Sequence, residues 1–312
     1  MSGHATTSLA PPTVDGWRLR MLLKLMHVMS VLRLPGTNGR AFEVPAEKRA
    51  ALKPAPWMLL PMPAVVIERG SIMGRSGEIP IKRFLPRQSE PRSPRILFIH
   101  GGGWIVGGVD SLDYLCTNLC DALNAEVTAV GYRLAPEHPY PAGLDDCEDA
   151  VLALAKDHSP ISVVGDSAGG NLAAAVCLRL RGTGAIRKQV LIYPALDLTM
   201  QSPSLRPDRD GFIWRDMLRI IDAYRGAAGA DEPLISPLLA PDLSGLPPAL
   251  VITANADPLR DDGLRYAQRL GGAGVPVRLE NYLGMPHAFL SIASLCPAAP
   301  AAIRIIVEEL RE

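Results

Sequence analysis

The sequence Ile161-Ser162-Val163-Val164-Gly165-Asp166-Ser167-Ala168-Gly169-Gly170-Asn171 joins two different patterns. Its first four residues form an apolar run that is typical of a buried strand. The small residues after Ser167 open a segment that predicts a helix to about Arg181. Glycines on both sides of the turn tolerate a strained backbone and allow the helix to pack closely on the strand. Ser167 is therefore a candidate nucleophile, and the alternative role for a serine at a helix start is an N-cap.

Only one of the six histidines, His287, follows Ser167 along the chain. A nucleophilic serine on this kind of turn is followed first by its acid and then by its histidine, so His287 is the candidate general base. Asp257 comes after an apolar strand pattern and is the candidate acid. Because the acid needs only to reach the imidazole, Asp197 is the alternative. The Asp-Pro pair that begins at Asp257 also predicts a helix start, and both roles are compatible. Asp261 and Asp262 are expected to be first-turn helix charges.

A second glycine-rich turn, His100-Gly101-Gly102-Gly103-Trp104, follows an apolar run at residues 95–99. Three consecutive glycines allow backbone N–H groups to point at a developing oxyanion without interference from side chains. The spacing fits neither the dinucleotide motif nor the P-loop motif. The pattern thus favours an oxyanion-binding loop, and His100 is expected to brace this loop rather than to act as a base.

Short β-branched runs alternate with helical patterns from residue 95 onward, which predicts a parallel sheet with helices on both faces. The predicted strands are residues 95–99, 126–130, 161–164, 189–193, 250–253 and 277–282. Two earlier runs, 64–69 and 79–85, predict an antiparallel hairpin at the edge of the sheet. Because reactive groups in such folds gather at the carboxyl ends of the strands, we expect the candidate residues to meet there.

Two segments outside this alternation predict a helical cap. Residues 1–53 are expected to form a tail and cap helices, because residues 17–32 place apolar and charged side chains on opposite helical faces. Interfacial membrane contact is the alternative for this helix. Residues 54–312 are expected to form the catalytic domain, and its residues 198–237 to contribute to the cap. Aromatic residues of this insertion, such as Phe212 and Trp214, either line a pocket or hold the cap to the body.

The overall composition excludes several classes of function. The chain carries 32 basic and 32 acidic residues among 312, so no net field attracts nucleic acid or an anionic membrane. We expect no nucleic-acid partner and no stable membrane insertion. Five cysteines with apolar neighbours predict buried free thiols in the reducing cytosol, hence a cytoplasmic protein. Cys116 and Cys120 share a helical face, but no histidine or further cysteine lies near them in the sequence to complete a ligand set, so no metal is expected.

Four motifs, taken in order, resemble the bacterial hormone-sensitive-lipase family (family IV) of esterases in the α/β-hydrolase superfamily. They are the two glycine-rich turns above, Tyr132-Arg133-Leu134-Ala135-Pro136-Glu137-His138-Pro139 and Asp257-Pro258-Leu259-Arg260-Asp261. The match covers roughly residues 64–312. It departs from the family pattern at Gly131, where an acidic residue is common, and at Ala288, where glycine is frequent.

This resemblance implies an α/β-hydrolase fold with a mostly parallel eight-stranded sheet, helices on both faces and a helical cap. It implies Ser167 as nucleophile, His287 as general base and Asp257 as acid. The backbone N–H groups of Gly101, Gly102 and Ala168 would form the oxyanion hole. No metal or organic cofactor is needed for this chemistry.

The expected activity is hydrolysis of short- to medium-chain carboxylic esters through an acyl-enzyme on Ser167. The same triad serves lactone and amide hydrolysis, and the same fold serves non-catalytic small-molecule receptors, so both alternatives stay open. The presence of His287 favours an enzyme. The expected partner is a small-molecule ester, and a homodimer is expected because family members often pair through the sheet edge near the last strand.

Overall fold

The computed structural model describes residues 45–87, 94–156, 159–205 and 211–311, except for the side chains of residues 211–216. The amphipathic helix predicted at residues 17–32 and the side chains of Phe212 and Trp214 therefore lie outside the described part of the chain.

Eight strands form a single sheet across the described residues. They are β1 (Val66–Gly74), β2 (Gly77–Leu85), β3 (Arg95–Ile99), β4 (Glu126–Val130), β5 (Ile161–Asp166), β6 (Ile186–Ile192), β7 (Ala249–Ala256) and β8 (Val277–Pro286). Their order is β1-β2-β4-β3-β5-β6-β7-β8. The β1–β2 and β2–β4 pairs are antiparallel, and all later pairs are parallel. The predicted fold class is confirmed.

Seven α-helices accompany the sheet in the described residues. They are α1 (Ala46–Ala50), α2 (Asp113–Leu123), α3 (Ala142–Leu154), α4 (Ala168–Arg179), α5 (Gly211–Arg225), α6 (Arg260–Gly272) and α7 (Ala299–Arg311). Short 3₁₀ helices lie at Pro56–Met58, Pro237–Leu239 and Phe289–Leu295.

The sheet separates two apolar cores, because successive side chains of a strand point to opposite faces. In β3, Leu97 and Ile99 pack in one core with α3, α4 and α6. Ile96 and Phe98 pack in the other core with α2 and α7. Helices therefore cover both faces, as the continuous apolar strand patterns predict.

Six of the eight strands, all except β3 and β4, are longer than the sequence pattern predicts. The first strand was expected to end at residue 69, but β1 continues to Gly74 and pairs with β2 along its whole length. The last two strands continue to Ala256 and Pro286, which pair with each other. Asp257 and His287 consequently follow directly after the ends of neighbouring strands.

Both segments that the sequence predicts to form a cap contain a helix among the described residues. The segment 198–237 contains α5, and α1 lies within residues 1–53.

All five cysteines are buried and none forms a disulfide, as predicted. None of the helices in the described ranges has both the length and the apolar character needed to cross a membrane.

Candidate active site

Ser167 lies on a strained turn between β5 and α4. Its backbone has φ 54° and ψ −117°, a conformation that residues other than glycine rarely adopt. A Cβ atom at Gly169 would lie 2.0 Å from the carbonyl oxygen of Ile99, so only glycine allows the helix to approach the sheet this closely. Ser167 stands at the N-cap position, but its hydroxyl makes no capping hydrogen bond. The N-cap alternative for the side chain is therefore wrong.

Ser167, His287 and Asp257 form a continuous chain of hydrogen bonds. The Ser167 Oγ lies 2.9 Å from Nε2 of His287. The His287 Nδ1 lies 2.7 Å from Oδ2 of Asp257. A carboxylate accepts only, so Nδ1–H donates to it and leaves Nε2 free to accept the serine proton. The three residues follow β5, β8 and β7, and the parallel sheet brings these strand ends to one edge.

Asp257 uses each carboxylate oxygen for a different partner. Its Oδ2 accepts from His287, while its Oδ1 accepts the backbone N–H of Leu259 at 2.8 Å. Its carbonyl oxygen accepts the N–H of Arg260 at 3.1 Å. Helix α6 begins at Arg260, so Asp257 caps the turn before the helix and is not the N-cap itself. One carboxylate thus binds the imidazole and caps the turn.

Asp197, the alternative acid, is bound to other groups. Its Oδ2 accepts from the guanidinium of Arg265 at 3.1 Å, and its Oδ1 accepts from the N–H and hydroxyl of Thr199. Asp197 borders the same cavity as Ser167. It shapes the wall of that cavity, while Asp257 occupies the position beside the imidazole.

Asp262 lies in the first helical turn, as predicted, and has a further role that the sequence does not indicate. It lies in the first turn of α6, but its side chain is buried. Its carboxylate accepts the backbone N–H groups of Leu196 and Asp197 at 2.8 and 3.0 Å, and it also accepts the hydroxyl of Ser202. Burial raises the pKa of Asp262 to about 7. Asp262 thus anchors the segment after β6 that forms one wall of the cavity, while Asp261 pairs with Arg260.

The surroundings of His287 favour its protonated form. Burial alone lowers its pKa, but the adjacent Asp257 carboxylate outweighs burial, and the pKa of His287 rises above its ordinary 6.5. The rings of Tyr193 and His287 also pack edge to face, with ring centroids 5.1 Å apart. An imidazolium formed beside Ser167 would be stabilised by the Asp257 carboxylate.

The glycine loop differs from its predicted assignment at Gly101. The N–H of Gly101 donates to Oδ1 of Asp166 at 2.7 Å, so this N–H is not available to an oxyanion and the prediction for Gly101 is wrong. Within the described ranges, the N–H groups of Gly102 and Gly103 have no acceptor. Both glycines have positive φ, 117° and 59°. Ala168 is the first residue of α4, where an N–H has no intrahelical acceptor. Gly102, Gly103 and Ala168 are the free donors near Ser167.

His100 braces this loop as expected. Its Nδ1–H donates to the carbonyl oxygen of Gly101 at 2.8 Å, and its ring stacks on Tyr132 with centroids 4.3 Å apart. The Tyr132 hydroxyl donates to the carbonyl oxygen of His100 at 2.9 Å. Burial lowers the pKa of His100 to about 4, which keeps the ring neutral. The Ser167 hydroxyl is hydrogen-bonded to His287 and not to His100.

Arg49 of α1 supports the same loop from outside the sheet. Its guanidinium donates to the carbonyl oxygens of Ile105 and Ala135 and pairs with Glu137. Its own carbonyl oxygen accepts the N–H of Gly107 at 3.0 Å. The sequence offers no local signal for this role, because Arg49 lies more than fifty positions from its partners along the chain.

A cavity of about 560 Å³ opens above Ser167. Its lining is mostly apolar, and α5 contributes Met217, Ile220 and Ile221. Its polar lining includes Ser167, His287 and the glycine loop, together with Asp166, Asp197 and Asp257. No cluster of His, Cys, Asp or Glu side chains suitable for a metal occurs within the described ranges.

A strand-to-helix serine turn, a hydrogen-bonded acid–histidine pair and a glycine loop on this sheet define the α/β hydrolases with a nucleophilic serine. The chain belongs to the alpha/beta hydrolase fold family, whose model matches residues 96–291. Within it, the resemblance to the hormone-sensitive-lipase esterases is confirmed, and the protein is a carboxylic ester hydrolase.

Named relatives support this placement. The carboxylic ester hydrolase LipN of Mycobacterium tuberculosis is 36% identical over 96% of this chain and 84% of its own length. The ethyl acetate hydrolase of Pseudomonas putida is 36% identical over 78% of this chain and 81% of its own. The solved structure of an ester hydrolase from the metagenome of Lake Arreo, complexed with a bipyridine phosphonate derivative, has a TM-score of 0.81 and 32% identity. That comparison covers 94% of this chain and 96% of the other.

Proposed function

We propose that the protein is a serine carboxylesterase that forms an acyl-enzyme on Ser167 and hydrolyses short- to medium-chain esters. The observation that carries this proposal is the hydrogen-bonded series of Ser167, His287 and Asp257 at the floor of an apolar cavity. A receptor needs no such series, so the geometry favours catalysis over binding alone.

In the first half of the reaction, His287 Nε2 takes the hydroxyl proton while Ser167 Oγ attacks the ester carbonyl carbon. The carbonyl electrons move to the oxygen, and this oxyanion accepts hydrogen bonds from the N–H groups of Gly102, Gly103 and Ala168. When the tetrahedral intermediate collapses, the C–O bond to the alcohol breaks. His287 then gives its proton to the departing alkoxide, and the acyl group stays on Ser167.

In the second half, water replaces the alcohol. His287 Nε2 takes a proton from water as the oxygen attacks the acyl carbon, and the same N–H groups stabilise the second oxyanion. Collapse breaks the bond to Ser167 Oγ, which recovers its proton from His287. Asp257 keeps Nδ1–H directed at its carboxylate through both halves and stabilises each imidazolium.

The size and lining of the cavity support the proposed chain length. A volume of about 560 Å³ suits a single small-molecule ester rather than a long-chain triglyceride. The apolar side chains of Leu198, Met200 and Met217 would contact hydrocarbon and exclude water. The relative from Pseudomonas putida is named for hydrolysis of a small ester, ethyl acetate.

The test is hydrolysis of p-nitrophenyl esters of increasing acyl length by the wild type and by Ser167→Ala. We expect the highest kcat/KM at short to medium chains and loss of turnover in the variant. A p-nitrophenyl phosphonate should add one phosphonyl group to Ser167 of the wild type, read by mass spectrometry of the peptide. Equal turnover by Ser167→Ala would refute the proposal, and turnover confined to lactones or anilides would replace the substrate class.

A further inference from the structure

Asp166 lies between the nucleophile and the glycine loop. It is the last residue of β5, directly before Ser167, and it is only 5% exposed. Its Oδ1 accepts the N–H of Gly101 at 2.7 Å. This bond connects the strand that carries the nucleophile to the loop that carries the free N–H donors.

The packing around this bond leaves the loop little freedom. A Cβ atom at Gly101 would lie 2.6 Å from Oδ2 of Asp166 and 2.8 Å from its carbonyl oxygen. A Cβ atom at Gly102 would lie 2.1 Å from the carbonyl oxygen of Val106. The loop therefore rests directly on Asp166, and the two donors that follow Gly101 are placed relative to that contact.

We infer that Asp166 is a positioning residue for the oxyanion hole: it accepts the Gly101 N–H and thereby aims the N–H groups of Gly102 and Gly103 at the oxygen above Ser167. This inference rests on the proposed function. It assigns to Asp166 a role that differs from those of the triad, because Asp166 does not exchange a proton with the substrate.

The energetic reason is the sensitivity of oxyanion stabilisation to distance. The loss of one oxyanion donor costs about 10² to 10³ in kcat, and a displacement of about 1 Å at a reacting group can cost about 10². Without an acceptor, the partly buried Gly101 N–H would lack a protein partner, and the loop would shift to find one. Such a shift acts on the transition state, where the oxyanion exists, more than on substrate binding.

Substitutions of Asp166 separate the acceptor from the charge. Asp166→Asn keeps an oxygen that can accept the Gly101 N–H, whereas Asp166→Ala and Asp166→Leu remove the acceptor, and leucine preserves the approximate shape. We expect kcat to fall at least about tenfold in the Ala and Leu variants, with KM changed less than about threefold. Asp166→Asn should recover most of the wild-type kcat.

Glu309→Ala is the matched control. Glu309 is a buried carboxylate that pairs with Lys188 near the amino end of β6, at the opposite end of the strands from Ser167. Its removal measures the general cost of deleting a buried carboxylate. We expect Glu309→Ala to lower the unfolding temperature while leaving kcat unchanged.

A second readout keeps this test separate from that of the proposed function. The rate at which a p-nitrophenyl phosphonate labels Ser167 depends on the same N–H donors but requires no ester substrate. Slower labelling in Asp166→Ala or Asp166→Leu, restored in Asp166→Asn, supports the inference even if the wild type hydrolyses none of the esters tried. Wild-type labelling rates in folded Ala and Leu variants, or an Asn variant as slow as they are, would overturn it.

Discussion

At the residue scale, the two carboxylate oxygens of Asp257, the proposed acid, have partners that can be tested separately. Asp257→Asn retains an oxygen that can accept the Leu259 N–H, so the turn before α6 should persist. The amide no longer holds the required imidazole tautomer, and kcat should fall by roughly 10⁴, by analogy with a serine protease. Steady-state kinetics with a p-nitrophenyl ester, together with thermal unfolding, measure both effects.

Asp197→Asn is the control for that experiment. Asp197 is also buried beside the cavity, but its carboxylate pairs with Arg265. Its replacement should cost stability and leave kcat within about tenfold of the wild type, because no bond to His287 is lost. If Asp197→Asn were the inactive variant and Asp257→Asn the active one, the acid assignment would be reversed.

The pH dependence of the reaction also originates at one residue. In the proposed mechanism neutral His287 is the base, because an imidazolium cannot accept the serine proton. Because Asp257 raises the pKa of His287 above 6.5, protonation removes activity already at a pH above that value. We expect kcat/KM to rise with pH along a limb whose midpoint lies above 6.5. A profile measured on a short-chain ester from pH 5 to 9 checks this, and a midpoint well below 6.5 would contradict it.

At the scale of elements, the sequence predicts where strands and helices lie but not where their pairing ends. β3 and β4 have their predicted bounds because both are short apolar runs next to turn residues. The ends of β7 and β8 contain alanine, asparagine, glycine and proline, which are poor strand formers. They extend because Ala256 pairs with Pro286, a contact between residues distant in sequence. That same contact places Asp257 beside His287.

The approach of α4 to β3 gives a prediction about stability. Gly169→Ala would place a Cβ atom 2.0 Å from the Ile99 carbonyl oxygen, so helix and strand must separate. We expect a loss of about 3 kcal/mol or more in the free energy of unfolding, measured with urea. The control is Gly272→Ala at the end of α6, where an added Cβ meets no atom within 4 Å. An equally stable Gly169→Ala variant would contradict the close packing.

At the scale of the whole molecule, the sequence predicts the fold class and the edge of the sheet at which the site forms. Ser167, Asp257 and His287 were identifiable because each follows a strand pattern in a fixed order along the chain. The roles of Gly101 and Asp262 were not, because they depend on hydrogen-bonding groups that only the folded sheet brings near them. A local pattern can place an N–H group in a loop, but it cannot show whether that group is already bonded.

The two edges of the sheet are the candidate surfaces for the expected homodimer. β8 and β1 are the edge strands of the described sheet, and edge strands offer unpaired N–H and C=O groups to another chain. Because members of the resembled family often pair through the sheet edge near the last strand, we expect the dimer contact at β8. We expect light scattering after size exclusion to give about twice the chain mass of 33.5 kDa. Leu283, 48% exposed on β8, should weaken the dimer when changed to Arg, since a two-fold contact brings both charges together. Met73→Arg on β1 should leave the dimer intact, and the reverse result would place the interface on the opposite edge.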